Sequence, residues 1–182
     1  MIQTIGDSHC WNAWLKIPGV ITNTMGPMLM YSLGLSKPIL VNKIPKDDDV
    51  VFCWGEIDCR CHVHKYQPWK ETIDKLVNNY LDAIRVNAEI NKNILIFNVV
   101  PPPRKEGTQE NLAFPFLGSN EDRLSYVKYM NKKLSESEFE FIDVYDKYAD
   151  SDGFLNSAYS DNHVHIVDPI FIIEWLKQNR RL

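Results

Sequence analysis

The chain has 182 residues, 45% of them hydrophobic and 24% charged, and a formal net charge of −4. That length suits one domain with a sizeable core, and the composition excludes a disordered chain. No Lys/Arg cluster marks a nucleic-acid face, and no run of about 20 apolar residues could form a membrane helix.

The first residues show no charged stretch followed by an apolar one, so no signal peptide is expected. The expectation is a cytoplasmic protein, or one domain of a larger intracellular protein, with no nucleic-acid or membrane partner. Oligomeric state cannot be read. Cys10, Cys53, Cys59 and Cys61 crowd the first third without disulfide-framework spacing and are expected to be free thiols.

In chain order, the short apolar run Met1–Ile5 reads as a strand running into a turn at Gly6-Asp7-Ser8. Val20–Thr24 is a second extended piece, stopped by Gly26-Pro27, and Met28–Leu33 a short helix. Pro38–Val41 is another brief apolar run. After the polar stop Asp47-Asp48-Asp49, the run from Val50 to Trp54 reads as a fully buried strand ending at Gly55. A helix is predicted from Pro68 to about Ile90, because Trp69, Ile73, Leu76, Val77, Tyr80, Leu81 and Ile84 recur at three- and four-residue steps.

Ile94–Val100 is a strand-length apolar run that Pro101-Pro102-Pro103 ends. Arg104–Gly118 has no period and reads as a long loop. Ser119, with Asp122 three residues on, starts a helix to about Ser135. Phe139–Val144 is a strand, Tyr145–Ser160 is irregular, and Asp168-Pro169 opens a last helix.

Unalternating apolar strands separated by amphipathic helices predict a parallel sheet covered on both faces. The expected fold is a three-layer α/β/α domain over residues 1–182, a flavodoxin-like doubly wound sheet of about five strands. Ligands bind such sheets beyond the carboxyl ends of the strands. Gly6-Asp7-Ser8-His9, Gly55-Glu56-Ile57-Asp58, Pro101-Pro102-Pro103 and Asp143 all fall on that edge.

Ser8 sits where a strand turns, so its hydroxyl is exposed at the sheet edge. A hydroxyl becomes a nucleophile only when a base takes its proton. The segment Asp161-Asn162-His163-Val164-His165 holds an acid and two imidazoles that could do this. Taken singly, each piece has a plainer reading. Ser8 could cap a helix around Cys10–Leu15, and the histidines could lie on a polar surface loop or bind a metal.

Taken in order, the pieces resemble the SGNH (GDSL-type) hydrolase superfamily of esterases, lipases, carbohydrate O-acetylesterases and some acyltransferases. Gly6-Asp7-Ser8-His9 matches its first block. Gly26 falls at the second-block oxyanion-hole glycine, and Gly55-Glu56-Ile57-Asp58 at the Gly-x-Asn-Asp block. The resemblance implies Ser8 as nucleophile, a histidine base near the C-terminus and Asp161 as its orienting acid. It implies a small-molecule or carbohydrate substrate, in particular a small O-acyl (O-acetyl) ester, and neither cofactor nor metal.

Two departures stand out. The block-three asparagine is Ile57, which cannot donate a hydrogen bond. Loss of one such donor typically costs on the order of 100- to 1,000-fold in rate, and Arg60 is the candidate replacement. The usual Asp-x-x-His spacing is also broken, since the histidines lie two and four residues after Asp161. His165, flanked by Val164 and Ile166, is favoured as base, with His163 as runner-up.

Glu56 and Asp58 are expected to form a network with Arg60 beside the substrate. Cys59-Arg60-Cys61-His62-Val63-His64 is rich in metal-ligand types but lacks a second pair, so Cys59 and Cys61 are read as packing residues. Trp11, Trp14, Phe114 and Phe116 are candidates to line a sugar cleft, whereas Trp54 is read as core. Arg104 and Lys105 read as a solvated loop, with an anionic substrate the alternative. Two other readings compete: a catalytically weakened carbohydrate- or partner-binding module, and a metal-dependent hydrolase using His62, His64, His163 or His165.

Overall fold

The computed structural model describes all 182 residues. Five strands form one sheet: β1 (Ile2–Gly6), β2 (Val20–Thr24), β3 (Asp49–Cys53), β4 (Ile94–Phe97) and β5 (Glu140–Ile142). They stand in the order β2-β1-β3-β4-β5, and every pairing is parallel. This is the doubly wound order whose switch point lies between β1 and β3. The helices are α1 (Met30–Ser36), α2 (Glu56–Cys61), α3 (Trp69–Ala88), α4 (Asn120–Ser135), α5 (Tyr145–Tyr148) and α6 (Ile170–Gln178).

Alternation along the strands builds two cores. Val50 and Phe52 of β3, with Ile94 and Ile96 of β4, face α1, α3 and α4. Val51, Cys53, Leu95 and Phe97 point the other way, to Trp14, Tyr148, Ile172 and Leu176. The central strands are therefore apolar on both faces, which is why they read as unbroken hydrophobic runs.

Several boundaries differ from the expected ones. Pro38–Val41 joins no sheet, because the side-chain oxygen of Asn87 on α3 accepts from the N–H groups of Leu40 (2.7 Å) and Val41 (3.3 Å). The strand expected over Ile94–Val100 stops at Phe97. Beyond it, the Asn98 and Asn131 side chains take over the hydrogen bonding of the Val144 and Val99 N–H groups. In place of a helix around Cys10–Leu15 there are two 3-10 turns, Ser8–Cys10 and Trp14–Lys16. The turn expected after β3 is the short helix α2.

Two glycines are required at the switch point. Gly6 pairs with Cys53, and a Cβ there would stand 2.2 Å from the Cys53 carbonyl oxygen. Gly55 has φ +116°, in the left-handed region, where it turns the chain from β3 into α2. Close approach of β1 and β3 thus brings Ser8 and the Glu56–Arg60 helix to one edge.

Candidate active site

Ser8 opens the turn after β1, half-buried, and its Oγ lies 2.8 Å from His165 Nε2. His165 Nδ1 lies 2.6 Å from Asp161 Oδ2. Asp161 Oδ1 also accepts the backbone N–H groups of His163 (2.9 Å) and His165 (3.2 Å). The Asp161 N–H in turn donates to the His165 carbonyl at 3.2 Å. The five residues thus close on themselves, with Asn162 at φ +62° making the bend. Asparagine is among the few residues that adopt this conformation readily.

A carboxylate on Nδ1 places the imidazole proton there and leaves Nε2 as the acceptor facing the serine. His163 sits on the same loop and makes no such bond to Ser8.

The charges support a neutral His165. Burial lowers its pKa, and the nearby His9 lowers it further, against the pull of Asp161. The two imidazole rings are 5.0 Å apart. Sequence patterns give His9 no role, although it directly follows Ser8. It is buried, with Nε2 3.5 Å from Glu56 Oε2. Burial opposes its charged form, but the Asp7 and Glu56 carboxylates outweigh that and raise its pKa. Asp7 is itself pushed up to about 6 by complete burial. Its Oδ1 accepts the His9 N–H, and its Oδ2 has no partner.

Arg60 closes this network. Its Nε and Nη2 donate to Glu56 Oε1 (2.6 Å) and Oε2 (3.0 Å), and its Nη1 donates to the Phe114 carbonyl. Burial alone would raise the Glu56 pKa; the adjacent Arg60 and His9 outweigh it and hold the carboxyl down to about 2.

Three expected site residues are placed differently from their expected roles. Asp58 is fully buried but does not meet Arg60; it accepts from the N–H groups of Met30 (2.7 Å) and Tyr31 (3.1 Å) at the start of α1. Burial raises its pKa to about 7. Glu56 lies beneath Arg60 and lines no part of the Ser8 cleft. The Gly26 N–H donates to Thr24 Oγ1 at 3.2 Å, and only its neighbour Pro27 reaches the cleft.

That cleft, of about 620 Å³, is bounded by Ser8, His165, Ile57, Arg60, Phe114 and Phe116, among others. The long loop 104–118 therefore supplies its outer wall, including Gln109 and Asn111, which sequence patterns do not single out. Trp11 and Trp14 do not line it: Trp14 is core and Trp11 lies on the surface elsewhere. Trp54 is buried in the core.

Arg104 is held by Asp150 and Asp152. The four cysteines are free and buried; Cys59 packs on Met130 and Cys61 bonds the Ile57 carbonyl. His62 stacks between Tyr31 and Tyr66, and His64 bonds the Tyr126 hydroxyl. No three His, Cys, Asp or Glu side chains converge as a metal-ligand group.

No family model matches the sequence, and no curated protein matches it. Solved structures do. A Streptococcus pneumonia protein described under platelet activating factor has a TM-score of 0.70 at 19% identity, over 98% of this chain and 82% of its own. A GDSL-like lipase from Bacteroides thetaiotaomicron has a TM-score of 0.66 at 15% identity, over 100% and 88%. The acetyl xylan esterase AlAXEase has a TM-score of 0.57 at 16% identity, over the whole of both chains. The chain thus has the α/β fold of the SGNH (GDSL-type) hydrolases, with a five-stranded parallel sheet between helical layers.

Proposed function

We propose that the protein is a serine ester hydrolase or acyltransferase acting on small O-acyl esters, O-acetyl above all, of a carbohydrate. The observation that carries this reading is the unbroken hydrogen-bond chain Ser8–His165–Asp161 at the floor of an open cleft. Structural neighbours that include an acetyl xylan esterase add support.

Ser8 Oγ attacks the ester carbonyl carbon while His165 Nε2 takes its proton and Asp161 steadies the imidazolium. The Ser8 N–H, at the free end of its turn, and the Arg60 guanidinium are the donors for the oxyanion. The Gly26 N–H joins them if substrate draws it from Thr24. The tetrahedral intermediate collapses, the C–O bond to the sugar breaks, and the His165 proton passes to the departing sugar oxygen. Water or an acceptor hydroxyl then gives its proton to His165 as it attacks the acyl-serine, and Ser8 is restored.

Ile57 favours a second reading. It occupies the family's asparagine position in the cleft wall and donates nothing, as expected of a binding module with weakened catalysis. Intact-mass analysis after a small fluorophosphonate separates the two. The esterase reading expects one adduct on the wild type and none on Ser8→Ala or His165→Ala. A folded wild type that takes no adduct would overturn it in favour of binding alone.

A further inference from the structure

A second hollow, of about 310 Å³, adjoins the Ser8 cleft on the far side of His163, which lines both. The same two stretches of chain wall the pair. Loop 104–118 gives Gln109–Leu112, Phe114 and Phe116 to the first and residues 104 and 106–108 to the second, and segment 155–165 faces it across both. The two hollows are consecutive stations along one trough.

Their chemistry differs. The Ser8 station has aromatic and aliphatic faces in Phe114, Phe116, Leu112 and Ile57. The station beyond His163 is lined by neutral hydroxyls and amides: Thr108, Asn156, Ser157, Ser160 and Asn162. Arg104, Glu106 and Asp150 also line it, with a net negative charge. Arg104 is spent on Asp150 (2.5 Å) and Asp152 (2.6 Å), and Glu106 accepts from the neutral Asn120 at 2.7 Å, so no free cation faces the station.

A lipid chain would need an unbroken apolar wall, and an anionic polymer would need unmatched cations. A neutral polyol needs hydroxyls and amides with free hydrogen-bonding capacity. The Ser157 hydroxyl and the Asn162 amide, neither engaged within the protein, supply them.

We infer that this trough binds a neutral glycan chain of at least two sugar residues, with the acylated sugar over Ser8 and the next residue beyond His163. The position of the acylated sugar rests on the ester-transfer reading of Ser8; the polar station does not.

The test is calorimetric binding of chito-, xylo- and manno-oligosaccharides of one to four residues to Ser8→Ala protein. It is paired with wild-type hydrolysis of p-nitrophenyl acetate and of the O-acetylated forms of the same sugars. One or two added hydrogen bonds give about a tenfold gain in affinity from one residue to two or three in at least one series. Ser157→Ala and Asn162→Gly, the second of which keeps the left-handed bend, abolish most of that gain.

Affinity independent of chain length in all three series overturns the trough, and does so even if p-nitrophenyl acetate is hydrolysed. A chain-length gain without turnover of any ester leaves the trough standing and sinks the esterase reading.

Discussion

Arg60→Met isolates what the buried network beneath Ser8 contributes. Glu56 is 3% exposed and receives two charged donors from Arg60, at 2.6 and 3.0 Å. Removing one partner of such a pair strands the other charge, at a typical cost of about 3–5 kcal/mol. For a chain of this size that is a fall in melting temperature of roughly 6–20 °C. The double variant Glu56→Gln/Arg60→Met removes the carboxylate together with its guanidinium, leaves His9 with Asp7, and recovers most of the loss.

The pH dependence has a definite sign. In the wild type the folded pKa of Glu56, about 2, lies below its ordinary value, so its stabilisation is complete above that value and fades as pH falls toward 2. Without Arg60, only His9 at 3.5 Å opposes burial, so the folded pKa rises, and the penalty is relieved as pH falls and the carboxyl protonates. The gap between wild type and Arg60→Met therefore narrows on acidification. Circular-dichroism melts of the three proteins from about pH 7 to about pH 5 measure this. Equal melting of the single and double variants, or a gap indifferent to pH, would refute the reasoning.

Asp161→Asn leaves Nδ1 of His165 without its carboxylate and is expected to lower kcat for p-nitrophenyl acetate by about 10³–10⁴-fold; a loss under tenfold would remove Asp161 from the triad. His9→Gln removes a cation that helps hold the His165 pKa down, so the acidic limb of the kcat/KM profile moves to higher pH. An unmoved limb would show that His9 is neutral or screened. Ile57→Asn restores a donor to the cleft wall and is expected to raise kcat by up to about 100-fold, and an unchanged kcat in a folded variant would assign the oxyanion wholly to other donors. Gly6→Ala forces a methyl group against the Cys53 carbonyl and should cost about 3 kcal/mol or more in denaturant unfolding; near-wild-type stability would mean β1 and β3 can part freely.

The sheet was legible because central parallel strands are apolar on both faces, so β3 and β4 appear as runs such as Val50-Val51-Phe52. Helix α3 was legible from its stripe of Ile73, Leu76, Val77, Tyr80 and Ile84, all buried. Helix α2 was not, because Glu56, Asp58 and Arg60 face inward, where local pattern reads charge as surface. Pro38–Val41 misled because an asparagine side chain, not a neighbouring strand, serves its backbone.

At the site, Ser8, His165 and Asp161 were recognisable from residue types and order. The role of His9 was not, since only the turn after β1 brings its ring to His165. The diversion of the Gly26 N–H to Thr24 and of Asp58 to the start of α1 likewise depend on contacts that spacing does not encode.

The five-residue loop from Asp161 to His165 holds the imidazole and the carboxylate of the proposed triad in one closed ring of backbone. Its internal alignment therefore travels with it, and only its seating against Ser8 depends on the rest of the molecule. A shift of this loop would break the Ser8–His165 hydrogen bond while the imidazole and carboxylate stayed paired. The two arrangements would differ by the gain or loss of a single 2.8 Å hydrogen bond, with no unfolding, and the proposed ester chemistry would stop and resume with it.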